Sequence, residues 1–177
     1  MCTGNICRSP AVERMLAARL GPSVTVASAG THALVDQPIA PGMLELLQAR
    51  EVDGSGFRAR LLAEPLLRGA DLILALTRAH RSLVVQMWPA AVRRTFTVRE
   101  FARLLEGIDR TALPAGSPAD RLRAALPLVT AQRGRVLVSA NEDDVVDPYG
   151  GRAAVYQASF AQMLPAVETI TAVAVAG

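Results

Sequence analysis

The chain has 177 residues, 19 of them basic and 16 acidic, with a net charge of +3 and a mean hydropathy of +0.27. That length suits one compact domain with its own core, and no apolar run reads as long enough to cross a bilayer. All 19 basic residues are scattered arginines and aromatics are only 4%, which argues against nucleic-acid binding; two cysteines five positions apart, with only His32 and His80 to assist, make neither a disulfide framework nor a zinc site.

In chain order, an apolar-periodic helix is expected from about Pro10 to Leu20, stopped by Gly21-Pro22. Val24–Ala27 reads as a short strand that ends in Ser28-Ala29-Gly30-Thr31. A second helix follows over Pro41–Arg50, then a helical turn at Glu64–Arg68. The segment Ala70–Leu76 is nearly all apolar, as a parallel strand covered on both faces should be. Thr77 caps a helix over Arg78–Met87, and Arg94–Thr97 is a strand that leads into a helix over Val98–Leu105. Ala119–Ala131 reads as an amphipathic helix, and the acidic run Asn141-Glu142-Asp143-Asp144 as a mobile stretch. A last helix runs from about Gly151 to Val173, with a kink expected at Pro165. Alternating strands and helices predict an α/β fold with a parallel sheet, and 1–177 is expected to be a single domain.

The chemistry concentrates at the start. Residues 2–10 read Cys-Thr-Gly-Asn-Ile-Cys-Arg-Ser-Pro and run straight into the first helix. Gly4 and Asn5 tolerate left-handed backbone angles, so the short loop from Thr3 through Ile6 and Cys7 can curl its N–H groups inward as an anion nest. The helix adds its positive end, and Arg8 can grip two phosphate oxygens with its planar fork. Cys2 then lies at the floor of a positive bowl, where a thiolate is favoured.

The string Cys2–Pro10, the distal Asp147-Pro148-Tyr149 and the intervening Ser28–Thr31 and Ala70–Thr77 resemble the low-molecular-weight protein tyrosine phosphatases. The bacterial members linked to capsule and exopolysaccharide export are the nearest in pattern, because Leu34 stands where many members have an aromatic wall. The resemblance implies a three-layer α/β/α sandwich with a small twisted parallel sheet of about four strands, needing no cofactor or metal. It implies that Cys2 attacks phosphorus, that Arg8 and the amides of Thr3–Arg8 hold the equatorial oxygens, and that Asp147 protonates the leaving oxygen. Ser9 is expected to donate to the Cys2 sulfur, with Asn5 and Ser28 shaping the loop and Tyr149 and Leu34 lining the substrate. Cys7 is either a partner for Cys2 in a reversible disulfide or a buried free thiol. The expected partner is a phosphotyrosine-bearing protein such as a bacterial tyrosine kinase, in the cytoplasm, without membrane insertion.

Two departures carry expectations of their own. Family members have an apolar strand before the nucleophilic cysteine. Here only Met1 precedes Cys2, so the first strand is expected to be missing and the chain to start upstream natively; with Met1 as the true start, the loop is expected to lack an anchor. Phe57 stands where the family often has a histidine that bonds toward the loop, so Asn5 and Ser28 are expected to bond each other directly. Residues 106–146 resemble no family segment and read as a variable insertion. A protein-arginine phosphatase remains an alternative, although members with that activity carry Thr where this chain has Ile6. A non-catalytic phosphate-binding module is the other.

Overall fold

In the computed structural model, which describes residues 1–134 and 138–176, helices dominate and the sheet is small. The elements are α1 (Arg8–Leu20), α2 (Pro41–Gln48), α3 (Glu64–Arg68), β1 (Ile73–Ala75), α4 (Arg78–Met87), β2 (Thr95–Thr97), α5 (Val98–Glu106), α6 (Pro118–Gln132), α7 (Ala140–Asp143) and α8 (Ala153–Val175). Strands β1 and β2 pair in parallel, Ile73 opposite Thr95 and Ala75 opposite Thr97. Beyond them, single parallel bridges join Cys2 to Gly30 and Gly30 to Leu61. An α/β fold with parallel pairing is therefore present, whereas the described residues contain two strands rather than about four.

The strand expected over Val24–Ala27 does not form. A strand needs a neighbour, and among the described residues no backbone hydrogen bond reaches Thr25, Val26 or Ala27. A cleft of about 530 Å³ lies there, between Val24–Ala29 and Ala70–Leu74 beneath α1. The loop nevertheless has an anchor, contrary to expectation. The Met1 nitrogen donates to the Leu74 carbonyl at 2.6 Å, and the Met1 carbonyl accepts from Leu76 N–H at 3.0 Å. On the other side Cys2 N–H donates to Ala29 at 3.4 Å, and Thr31 N–H donates back to Cys2 at 3.0 Å. Met1 and Cys2 each make ladder bonds toward one neighbour.

The helices follow their local chemistry. Thr77 caps α4 by accepting from His80 N–H, and Thr97 with Glu100 forms a capping box that starts α5 directly off β2. The core lies between α1, α5 and α8, where Met15, Phe101, Leu105, Met163, Val167 and Ile170 are buried. Helix α8 continues through Pro165. It is long and apolar enough by length and composition to cross a membrane, which corrects the expectation that no run is; half of its apolar window is buried in the fold. The acidic run at 141–144, expected to be mobile, instead holds most of α7 (Ala140–Asp143), in which Asp143 is buried. Within the expected insertion, α6 packs on α5 and α8, while residues 135–137 lie outside the described residues.

Candidate active site

The loop between Cys2 and α1 has its polar groups sorted by side. Its carbonyls turn outward and are held by one stretch of chain. His32 N–H donates to Thr3 at 3.0 Å, Leu34 N–H to Gly4 at 3.0 Å and Ala40 N–H to Ile6 at 2.7 Å. Among the described residues, none of the six N–H groups from Thr3 to Arg8 has a hydrogen-bond partner. Six consecutive unpaired donors in a loop that is largely buried are costly unless an anion satisfies them.

Asn5 makes the curl possible. Its φ is +53°, and its buried side chain donates to Ser9 Oγ at 2.8 Å and Ser28 Oγ at 2.7 Å while accepting from Arg60 N–H at 2.9 Å. The direct Asn5–Ser28 bond expected in the absence of a histidine at position 57 is present. Phe57 is instead buried, with the Arg14 guanidinium 5.7 Å from its ring centre.

Cys2 Sγ lies 3.0 Å from Ser9 Oγ. Ser9 already accepts from Asn5, so its own proton is free to point at the sulfur, as a thiolate requires. Arg8 is buried; its Nη1 donates to the Val145 carbonyl at 3.1 Å and its Nη2 to Asp147 Oδ2 at 2.5 Å. Among the described residues, its Nε–H is buried without a hydrogen-bond partner. Asp147 also accepts from Tyr149 N–H at 3.2 Å, a turn that aims the carboxylate back over the loop.

These groups line one cleft of about 150 Å³. Cys2, Thr3, Gly4, Asn5, Ile6, Cys7 and Arg8 form its floor, and His32, Leu34, Asp147 and Tyr149 its walls. Tyr149 and Leu34 are exposed large apolar side chains at its rim. Ser9 and Ser28 stand behind the floor rather than in it. Cys7 is a free, buried thiol whose ionisation burial pushes up to about 11, so it stays protonated at neutral pH.

Two residues of the site escaped the sequence reading. His80 is buried. Its Nδ1 is 2.8 Å from Thr77 Oγ1 and its Nε2 2.9 Å from Thr3 Oγ1. Burial first, then the Arg8 charge, push it down to about 4, so a neutral imidazole ties the loop to the α4 cap. Gly30 lies so close to the loop that a Cβ there would stand 2.2 Å from the Thr3 carbonyl oxygen. The Thr77–His80 spacing was the available signal for the first; the second lies within the Ser28–Thr31 segment that carries the resemblance, although no local pattern marks its close approach to Thr3.

The family model described as Low molecular weight phosphotyrosine protein phosphatase matches residues 1–126. The chain belongs to this family. It is thus a hydrolase of the low molecular weight phosphatase type, built for phosphoester bonds. Among curated relatives it is 31% identical to the protein-arginine-phosphatase of Geobacillus stearothermophilus over 71% of this chain and 82% of that protein. It is 40% identical to the low molecular weight protein-tyrosine-phosphatase Etp of Escherichia coli K12 over 54% of this chain, a match spanning 64% of Etp. Among solved structures, the low molecular weight protein tyrosine phosphatase of T. tengcongensis is 28% identical, with a TM-score of 0.66 over 95% of this chain and 92% of that one.

Proposed function

We propose that this phosphatase hydrolyses phosphotyrosine in proteins through a phosphocysteine formed on Cys2. The observation that carries the reading is the convergence in one cleft of six unpaired N–H groups, the Arg8 fork, the Cys2 sulfur and the Asp147 carboxyl. The phosphoryl oxygens sit on the loop amides and on Arg8, whose Nε–H is free. The Cys2 thiolate, stabilised by Ser9, attacks phosphorus. The bond to the phenolic oxygen breaks, and protonated Asp147 delivers its proton to that oxygen as it leaves. Asp147, now ionised, takes a proton from a water that attacks the phosphocysteine. The P–S bond breaks, and inorganic phosphate and the Cys2 thiolate return.

Arg8 first exchanges one contact. Its Nη2 bonds Asp147 in the empty cleft, and an incoming phosphate competes for that guanidinium while the carboxyl takes up its proton. The rim suits an aryl group: Tyr149 offers a flat face and Leu34 an aliphatic one. The reading includes the cytoplasm as the setting, in keeping with two free cysteines, and a tyrosine-phosphorylated protein such as a bacterial tyrosine kinase as partner. It also takes the parallel bridges at Cys2, Gly30 and Leu61 as the trace of a four-strand sheet in a three-layer sandwich, and the chain as one domain with an insertion at 106–146.

Hydrolysis of para-nitrophenyl phosphate tests the chemistry. Cys2→Ser should abolish turnover yet still bind inorganic phosphate; turnover that survives would sink the mechanism. A second reading, protein-arginine phosphatase, is favoured by the 31% identity that spans 82% of the Geobacillus relative. Against it, Ile6 is a buried aliphatic side chain that offers no hydroxyl to a guanidinium. Parallel assays on phosphotyrosine and phosphoarginine peptides separate the two: faster release from phosphoarginine overturns the tyrosine assignment.

A further inference from the structure

Asp143 lies four residues before Asp147 and is almost fully buried. A carboxylate in that setting needs cations at hydrogen-bond distance. It has two, from different helices: Arg78 at the start of α4 donates to Oδ2 at 2.7 Å, and Arg103 on α5 donates to Oδ1 at 2.8 Å. The arginine that holds Asp143 also holds its flanks. Arg78 Nη2 donates to the Val138 carbonyl at 2.8 Å, and Arg78 N–H to Asp144 Oδ1 at 2.7 Å. Arg99 reaches across from α5 to the carbonyls of Asn141 and Asp144.

The pinning continues toward the cleft. Val145 N–H donates to Leu76, at the end of β1, at 2.9 Å, and the Val145 carbonyl accepts from Arg8 at 3.1 Å. Asp147 follows two residues later. The proton donor is therefore the free end of a short arm whose root is clamped to the same sheet edge that carries the nucleophile loop. Among the described residues, Asp143 is the only carboxylate bridging two arginines from separate helices in this arm.

We propose that Asp143, clamped between Arg78 and Arg103, is a positioning residue that sets the reach of Asp147 to the leaving oxygen. It touches no substrate and acts through the arm. Loss of the clamp frees α7 from α4 and α5, so the Asp147 carboxyl samples positions too far from the leaving group. The inference rests on the reading of Asp147 as the proton donor.

The test compares kcat/KM on phenyl phosphate, whose phenolate needs a proton to leave, with 2,4-dinitrophenyl phosphate, whose phenolate leaves without one. The ratio of the two, taken on one enzyme preparation, does not depend on how much of it is folded. Wild type, Asp147→Asn, Asp143→Asn and Arg103→Leu are measured; the last removes one partner whose side chain is a quarter exposed and spares the buried carboxylate. Asp147→Asn should depress the phenyl rate by roughly 10²–10⁴-fold and the dinitrophenyl rate far less. Asp143→Asn and Arg103→Leu should lower the same ratio by about 10- to 100-fold, the cost of a misplaced group. If Asp147→Asn collapses the ratio while both clamp variants keep the wild-type value, the positioning role is overturned and the proton donor stands. If Asp147→Asn leaves the ratio unchanged, the proton-donor reading falls and the inference with it.

Discussion

Gly30→Ala should disable the enzyme from outside the cleft. Gly30 sits where the chain passes behind the loop; its N–H donates to Arg60 at 3.0 Å, and it bridges Cys2 on one side and Leu61 on the other. An added Cβ would stand 2.2 Å from the Thr3 carbonyl oxygen and 3.0 Å from both Cβ and N of Asn5. The gap to Thr3 must open by about 0.8 Å merely to reach 3.0 Å, and what must move is backbone, not the tip of a flexible chain. Thr3 cannot move alone, because its carbonyl accepts from His32 N–H and its neighbours are tied to Thr31 and Leu34. Overpacking of this kind costs about 1–3 kcal/mol, against a total stability of about 5–15 kcal/mol. The variant should therefore fold, with Tm lowered by about 2–12 °C. A loop displaced by nearly 1 Å should lose about 100-fold in kcat/KM on para-nitrophenyl phosphate. Thermal melts and steady-state kinetics measure both. Wild-type kcat/KM in a Gly30→Ala protein would refute the idea that this close approach sets the loop.

Asn5→Ala removes three hydrogen bonds and places an alanine at φ +53°, so it should destabilise by about 2–4 kcal/mol in urea unfolding. Asn5→Gly should recover only the backbone share; equal losses in the two would contradict the strain argument. His80 gives a stability slope on the acid side. Its folded value of about 4 lies below the ordinary 6.5, so the unfolded chain binds the proton first, and stability is complete above about pH 6.5 and falls as pH drops toward 4. Urea midpoints between pH 7 and 4.5 should fall more steeply in wild type than in His80→Gln, and parallel curves would argue against a buried neutral histidine. Joining five alternating apolar residues to the Met1 nitrogen replaces a buried amine, pushed down to about 6 by that burial, with an uncharged amide in the same ladder position. Tm should rise and the amides of Thr25–Ala27 should gain protection from hydrogen exchange, since the cleft of about 530 Å³ beside them then holds a strand. An unchanged Tm and unprotected amides would show that the cleft does not accept one.

The loop from Cys2 to Arg8 was legible because everything it needs is adjacent in the chain. Gly4 and Asn5 supply the backbone angles, Ser9 and Arg8 the polar groups, and α1 begins at Arg8. The cap at Thr77 was legible for the same reason, since the cap and the amide it satisfies lie three residues apart. Strand content was not. Val24–Ala27 has the apolar, β-branched composition of a strand, yet a strand exists only when a neighbour pairs with it, and none does among the described residues. The acidic run at 141–144 misled in the opposite sense. It read as a mobile stretch, but three arginines separated from it by tens of residues bury Asp143 and pin the arm. Composition and local spacing determined the loop and most of the helices, because those depend on groups a few bonds apart. Only the tertiary structure decided that Thr31–Ala40 holds the loop carbonyls outward, that Gly30 leaves room for Thr3, and that Asp147 comes to rest against Arg8 139 residues away, because each depends on distant chain packing into one place.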